Sequence, residues 1–194
     1  LPELETMTIS NKNGFKDTNL LMVGKQMVQI DGLVTNATIP MERLVARLDV
    51  YMFKSRRLEN NTVILKSIEL VNQITNTRGE YQNTIMVSPV ETQNDLRTIS
   101  SNNVLGVMPD DMSGIIPDNA TESFYSYQNI AASADPDPNV TPYLLITADI
   151  DGVSHRYKGY ITDSGQTTDK YSLKRNTVYR IIAMLDNPDN LLIL

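Results

Sequence analysis

Polar and apolar positions alternate along much of this chain, and alternation places every second side chain on one face of an extended strand. In "RLVARLDVYM", Leu44, Ala46, Leu48, Val50 and Met52 fall on one face, with Arg43, Arg47, Asp49 and Tyr51 on the other. That pattern predicts a strand with one wet side. The next run, "TVILKSIELVNQI", carries Val63, Ile64, Leu65, Ile68, Leu70 and Val71 after a turn at Asn60 and Asn61. Its β-branched content predicts a second strand, with a helical turn as the alternative. Upstream, "NLLMVGKQMVQIDG" gives two short apolar segments interrupted by Gly24 and closed by Asp31-Gly32, consistent with short strands and a tight turn.

Between residues 76 and 140 the composition shifts to Asn, Ser, Asp, Pro and Gly, with "ESFYSYQNI" as one aromatic strand among clusters such as "SSNN", "PDDMSG" and "ADPDPN". This is loop chemistry and marks a boundary and crossover region. Further on, "PYLLITADI" places Leu144, Ile146, Ala148 and Ile150 on one face, Asp151-Gly152 supplies a type I′ turn, and "VSHRYKGYI" returns as the partner strand. The final run, "TVYRIIAML", has Tyr179, Ile181, Ala183 and Leu185 on one face and apolar Val178, Ile182 and Met184 on the other. Such a strand is expected to be covered on both sides. Before it, Lys174, Arg175 and Asn176 read as the turn into the strand, and Asn187-Pro188 ends it. Arg180, inside it, is expected to lay its stem along the sheet and send its guanidinium to solvent or a carboxylate.

Many strands, frequent turns and little helical period predict an all-β sandwich. The 194 residues and 41% hydrophobic content suffice for a real core. Charge then narrows the partners: 17 basic against 23 acidic side chains leave a net charge of -6, which disfavours a phosphate backbone, so no nucleic acid is expected. The absence of cysteine removes disulfides, thiolate zinc sites and thiol nucleophiles and leaves the compartment open. No apolar run reaches the ~18 residues of a membrane span. Leu1 is followed by "PELE" and no export signal is visible; the chain does not begin with Met, so it is read as a mature or trimmed form with any sorting signal upstream.

Candidate chemistry is sparse. The only histidine, His155, adjoins Ser154 in a strand, where neighbours face opposite sides of the sheet and cannot form a nucleophile–base pair. "DIDG" (Asp149, Asp151) and "DPDPN" (Asp135, Asp137, Asn139) supply too few oxygens at fixed spacing for a calcium loop and read as a hairpin turn and a Pro-stiffened surface loop. Phosphate-binding glycine motifs are absent. "KSRR" (Lys54 to Arg57) reads as a solvated basic turn, and N-x-[ST] at Asn36, Asn60, Asn119 and Asn139 carries no weight in a chain so rich in Asn and Thr. No catalytic residue, metal ligand or cofactor is assigned, and the chain is read as a non-enzyme.

Four segments in order resemble the fimbrillin family of Bacteroidales, the subunits of major and minor surface fimbriae. They are "NLLMVGKQMVQI", "IPMERLVARLDVYM", "VILKSIELVNQI", and the pair "YLLITADIDGVSHRYKGYI" and "YSLKRNTVYRIIAMLDNP". The resemblance implies two transthyretin-like Greek-key β-sandwich domains in tandem, divided here as residues 1–76 and 77–194 with long loops at 76–140. It further implies a lipoprotein precursor exported to the outer membrane and cell surface, cleavage by an arginine-specific protease, and polymerisation with other fimbrial subunits by β-strand exchange. Adhesion to a host-surface ligand belongs to the same expectation. No cleavage arginine, donor strand or other functional residue carries over to a numbered position, since members are longer and end in a tryptophan-bearing strand that this chain lacks. The other readings are a tip or anchor subunit and a secreted carbohydrate-binding β-sandwich; the absence of Trp argues against the last.

Overall fold

The computed structural model describes residues 7–11, 15, 20–82, 90–100, 103–110, 120–130, 135–162 and 170–193. Among them the chain forms strands β1 (Thr8–Ser10), β2 (Met22–Gly24), β3 (Met41–Arg43), β4 (Val45–Lys54), β5 (Val63–Ile74) and β6 (Asn76–Arg78). These are followed by β7 (Thr92–Thr98), β8 (Glu122–Tyr127), β9 (Tyr143–Ile150), β10 (Val153–Tyr160), β11 (Val178–Asn187) and β12 (Asn190–Ile193). A single 3-10 turn, Arg56–Leu58, interrupts the strands, and no α-helix occurs among the described residues. The protein is all-β.

Two four-stranded sheets, ordered β10-β9-β5-β7 and β12-β11-β4-β8, face each other, and two-stranded ladders β1-β6 and β2-β3 flank them. The core between them follows the alternation. Ala46, Leu48 and Val50 of β4 are 0% exposed and Met52 5%, and they meet Leu144, Ile146, Ala148 and Ile150 of β9. β5 keeps its apolar side chains inward by slipping register between Leu65 and Ser67. That bulge brings Ile68 and Leu70 back into phase with Val63 and Leu65. The β9–β10 hairpin closes on Asp151 (φ 49) and Gly152 (φ 85), the two left-handed residues that a type I′ turn requires.

Both large sheets mix strands from before and after residue 76: β4 lies between β8 and β11, and β5 between β9 and β7. The expected division at 76/77 therefore runs between strands that share a sheet. A smaller apolar cluster at one end joins Leu44, Val45, Ile74, Tyr125 and Tyr127.

Three strand expectations change. β11 is buried on one face only: Ile181, Ala183 and Leu185 are inside, whereas Val178 is 57% exposed and Ile182 and Met184 are half-buried. β7, "TQNDLRT", was not anticipated, because an edge strand this polar shows no apolar alternation. The second segment of "NLLMVGKQMVQIDG" forms no strand; the chain leaves the β2-β3 ladder at Gly24 and rejoins it at Met41.

Candidate assembly surfaces

The residues singled out for chemistry are dispersed into structural roles. Ser154 pairs across the hairpin with Asp149 and His155 with Ala148, so the two side chains point to opposite faces. Asp149 accepts from Lys66 at 3.0 Å, and that ammonium, seconded by the Ser154 hydroxyl, holds its carboxyl below the usual range. Asp151 is held low by the Asn61 side-chain amide and by the Thr62 N–H at 2.8 Å, which locks the 3-10 region to the hairpin turn. Asp137 accepts from the backbone and side chain of Asn139 in its own turn. Among the described residues no group of three His, Asp or Glu side chains is placed to hold a metal ion. No helix there is long and apolar enough to cross a membrane.

In the stretch Lys54 to Arg57, Arg56 and Arg57 are exposed as expected, but Lys54 is not. Lys54 is 8% exposed and donates to the carbonyls of Glu59 at 3.1 Å and Asn61 at 2.7 Å. Its ammonium thus replaces water for a turn that curls over it. Arg57 pairs with Asp186 at 3.0 Å and Arg56 with Asp110. Arg180 is exposed, as anticipated. Five residues earlier, Arg175 is the buried one: its side chain is 4% exposed and pairs with Glu42, while donating to the carbonyls of Arg78 and Glu80. Burial pulls the Arg175 pKa down and the Glu42 carboxylate opposes that pull. Glu42 also accepts from the Gln82 N–H at 2.6 Å. One guanidinium thus ties β3, the chain after β6 and the turn before β11 into a rigid base. Sequence reasoning missed it because nothing local distinguishes Arg175 from Lys174.

That base carries the most unusual surface of the molecule. Residues 25–40 are exposed throughout, and they include Met27 at 88%, Ile30 at 82%, Leu33 at 105%, Val34 at 79% and Ile39 at 55%. Gly32, at φ 83, turns the segment back on itself. A Cβ on Gly24 would lie 2.4 Å from the Pro40 carbonyl, so the two legs are pinched together at the base. Beyond it they join no strand ladder among the described residues. A monomer rarely exposes so contiguous an apolar stretch without a partner for it.

The edges of the sandwich are unequal. On one side β10 and β12 abut: a Cβ on Gly159 would meet Ile193 at 2.7 Å, so glycine lets the two sheets close there. At the other side the end of β5 caps β8, with Gln73 Nε2 donating to the Tyr125 carbonyl at 2.7 Å and the Ile74 N–H to Ser126 Oγ at 3.0 Å. β7 is an edge blunted by Asn94, Asp95 and Arg97. β11 is the exception inside a sheet. It pairs with β4 from Val178 to Leu185 but with β12 only from Ala183 onward. A cavity of about 510 Å³ opens beside the exposed end of β11, lined by Leu20, Met22, Arg43, Val45, Tyr125 and Val178 among others.

A two-sheet sandwich in which β4 and β11 pair in parallel invites comparison with solved folds. A candidate cell adhesion protein from Bacteroides eggerthii aligns at a TM-score of 0.60 and 15% identity, covering 99% of this chain and 69% of that one. A fimbrillin from Porphyromonas gingivalis aligns at 0.59 and 14% identity over 98% of this chain and 69% of its own. The chain has the fimbrillin fold. A tip fimbrial protein from Porphyromonas gingivalis, truncated at its C-terminus, shares this fimbrillin fold at 0.54 and 16% identity, over 100% of this chain and 70% of its own. The first structures matched are longer, this chain spanning 52% of one and 71% of the next. No family model and no curated protein matches the sequence.

Proposed function

We propose that the chain is a structural, non-enzymatic subunit of a bacterial cell-surface fimbria, joined to other fimbrial subunits by β-strand addition and supporting adhesion to a host surface. In this reading it is exported as a lipoprotein precursor to the outer membrane and trimmed by an arginine-specific protease, and the sandwich described above is one of two in tandem. The observation that carries it is the exposed apolar segment 25–40 on a fimbrillin-fold sandwich whose strand β11 is only half covered. An added strand satisfies unpaired N–H and C=O groups and seats alternate side chains, and so links subunits without new folding. A tip subunit is the second reading, favoured by the likeness to the tip fimbrial protein.

A sugar-binding module draws less support. Tyr143 and Tyr160 meet edge to face at 5.5 Å, and Lys158 Nζ lies over both rings at 4.0 and 4.6 Å, so these surface aromatics already hold a cation of their own. The test is the full-length precursor treated with an arginine-specific protease. Ladders that resist SDS are expected of a polymerising subunit; a strictly monomeric product would shift the reading to a tip or anchor.

A further inference from the structure

The cavity beside Val178 combines an apolar floor with charge of a single sign. We propose that it binds a small organic carboxylate, whose apolar or aromatic body rests on Val45 and Tyr125 and whose carboxylate is held by Arg43 and Asn176.

The outer face of the sheet builds the site. Arg47 of β4 lies in register between Tyr125 of β8 and Val178 of β11, and directly opposed residues turn to the same face. Val45, two residues earlier in the strand, shares that face. Val45 is 3% exposed and Tyr125 7%, so these two make the floor. Leu20, Met22 and Val178 stand around it as walls of a space of about 510 Å³, within the usual range of small-molecule sites. The turn before β11 is stitched onto β4, the Asn176 N–H donating to the Val45 carbonyl at 2.8 Å and the Arg47 N–H to the Thr177 carbonyl at 2.9 Å. Asn176 sits at φ 57, a left-handed position that Asn accepts readily.

The polar lining then selects the ligand. Among the described residues the cavity is lined by two arginines and by no Asp or Glu, in a chain of net charge -6. Arg47 is already answered: it donates to Asp49 at 2.7 Å, and Asp49 also accepts from the Ser123 hydroxyl at 2.6 Å. Arg43 is exposed and enters no ion pair among the described residues. Its backbone N–H donates to Asn176 Oδ1 at 3.1 Å, which fixes that amide and leaves its donor end, Nδ2, without a protein acceptor among the described residues. A guanidinium and an amide donor beside an apolar floor match a carboxylate on an apolar body. A cationic ligand would meet only like charge, and a wholly apolar one would strip water from Arg43 without replacing it.

The test is a titration of the isotope-labelled chain, followed through its backbone amide resonances, with phenylpropionate and naphthylacetate and with the corresponding neutral amides. Shifts should gather on Val45, Tyr125, Asn176 and Val178, and each acid should bind about tenfold more tightly than its amide, as a charge-assisted hydrogen bond predicts. Arg43→Gln should bring the acids down to the affinity of the amides and leave the amides unchanged. Asn176→Asp keeps an acceptor for the Arg43 N–H and a side chain suited to positive φ, yet should also weaken the acids through like-charge repulsion. Arg156→Gln, which removes an exposed charge from the other sheet, should change neither. Acids and amides that bind alike, or acids that bind as well to Arg43→Gln as to Arg156→Gln, would overturn the proposal. Shifts confined to residues 25–40 would do the same, since they would mean general capture by exposed apolar side chains. So would acids that move no resonance of the cavity lining.

Discussion

Residues 44–52 and residues 33–39 are both built on apolar side chains, yet Leu48 is 0% exposed and Leu33 is 105% exposed. Strand β4 sits between β8, in register from Val45 to Val50, and β11, in register from Arg47 to Lys54. The arm, residues 25–40, stands on a three-pair ladder and joins no further strand ladder among the described residues. Alternation in sequence thus predicts an extended backbone, while burial depends on partners supplied from far along the chain. The same local pattern makes a core strand in one place and an open contact in the other.

The largest effect should come from the base on which the arm stands. Arg175→Met leaves Glu42 without its partner and frees the carbonyls of Arg78 and Glu80, and loss of one member of a buried pair costs about 3–5 kcal/mol. Urea denaturation should show that loss, and pairing the change with Glu42→Gln should return part of it. If Arg175→Met proves neutral, the rigid base is an illusion of the packing.

The comparison itself is tested by matched truncations. Leu48→Ala should cost about 3 kcal/mol, the ordinary price of an unfilled core site, whereas Leu33→Ala should change monomer stability by less than about 0.5 kcal/mol. Equal losses in dilute monomer would mean that the arm is packed in solution. The smallest effect concerns the hairpin turn. Asp151 titrates below the ordinary 3.8 in the folded chain, so its contribution is fully present above that value and is lost as pH falls through the lower folded value. Asp151→Asn should flatten the acid limb of the stability curve relative to the parent, with no change in its slope near neutrality.

Much of the sandwich was legible. β4, β5, β8 and the β9–β10 hairpin follow from alternation, β-branched residues and one Asp-Gly turn, although the face of β4 expected to be wet is largely covered, with Asp49 7% and Tyr51 6% exposed. β7 was not, because its stability comes from pairing with β5 and its side chains stay wet. β11 looked buried on two faces because Val178, Ile182 and Met184 are apolar; the outer sheet face there is only partly covered, and no local rule reports that. Lys54 and Arg175 illustrate the same blindness for charge. Each is inside because distant carbonyls or a distant carboxylate, Glu42 in the case of Arg175, replace its water. The arm's apolar residues were visible as short segments, but their lack of an intramolecular partner emerged only in three dimensions.

The position of β4 also sets an order of events in time. Arg47 faces Val178 in register, and its other neighbour, Tyr125, is likewise remote. Contacts at such separation form slowly, because a long loop must close before any ladder bond repays it. As the chain is synthesised, β4 has neither neighbour until β8 appears, and no parallel partner until β11 follows. The sandwich therefore stays incomplete until β11 has been made.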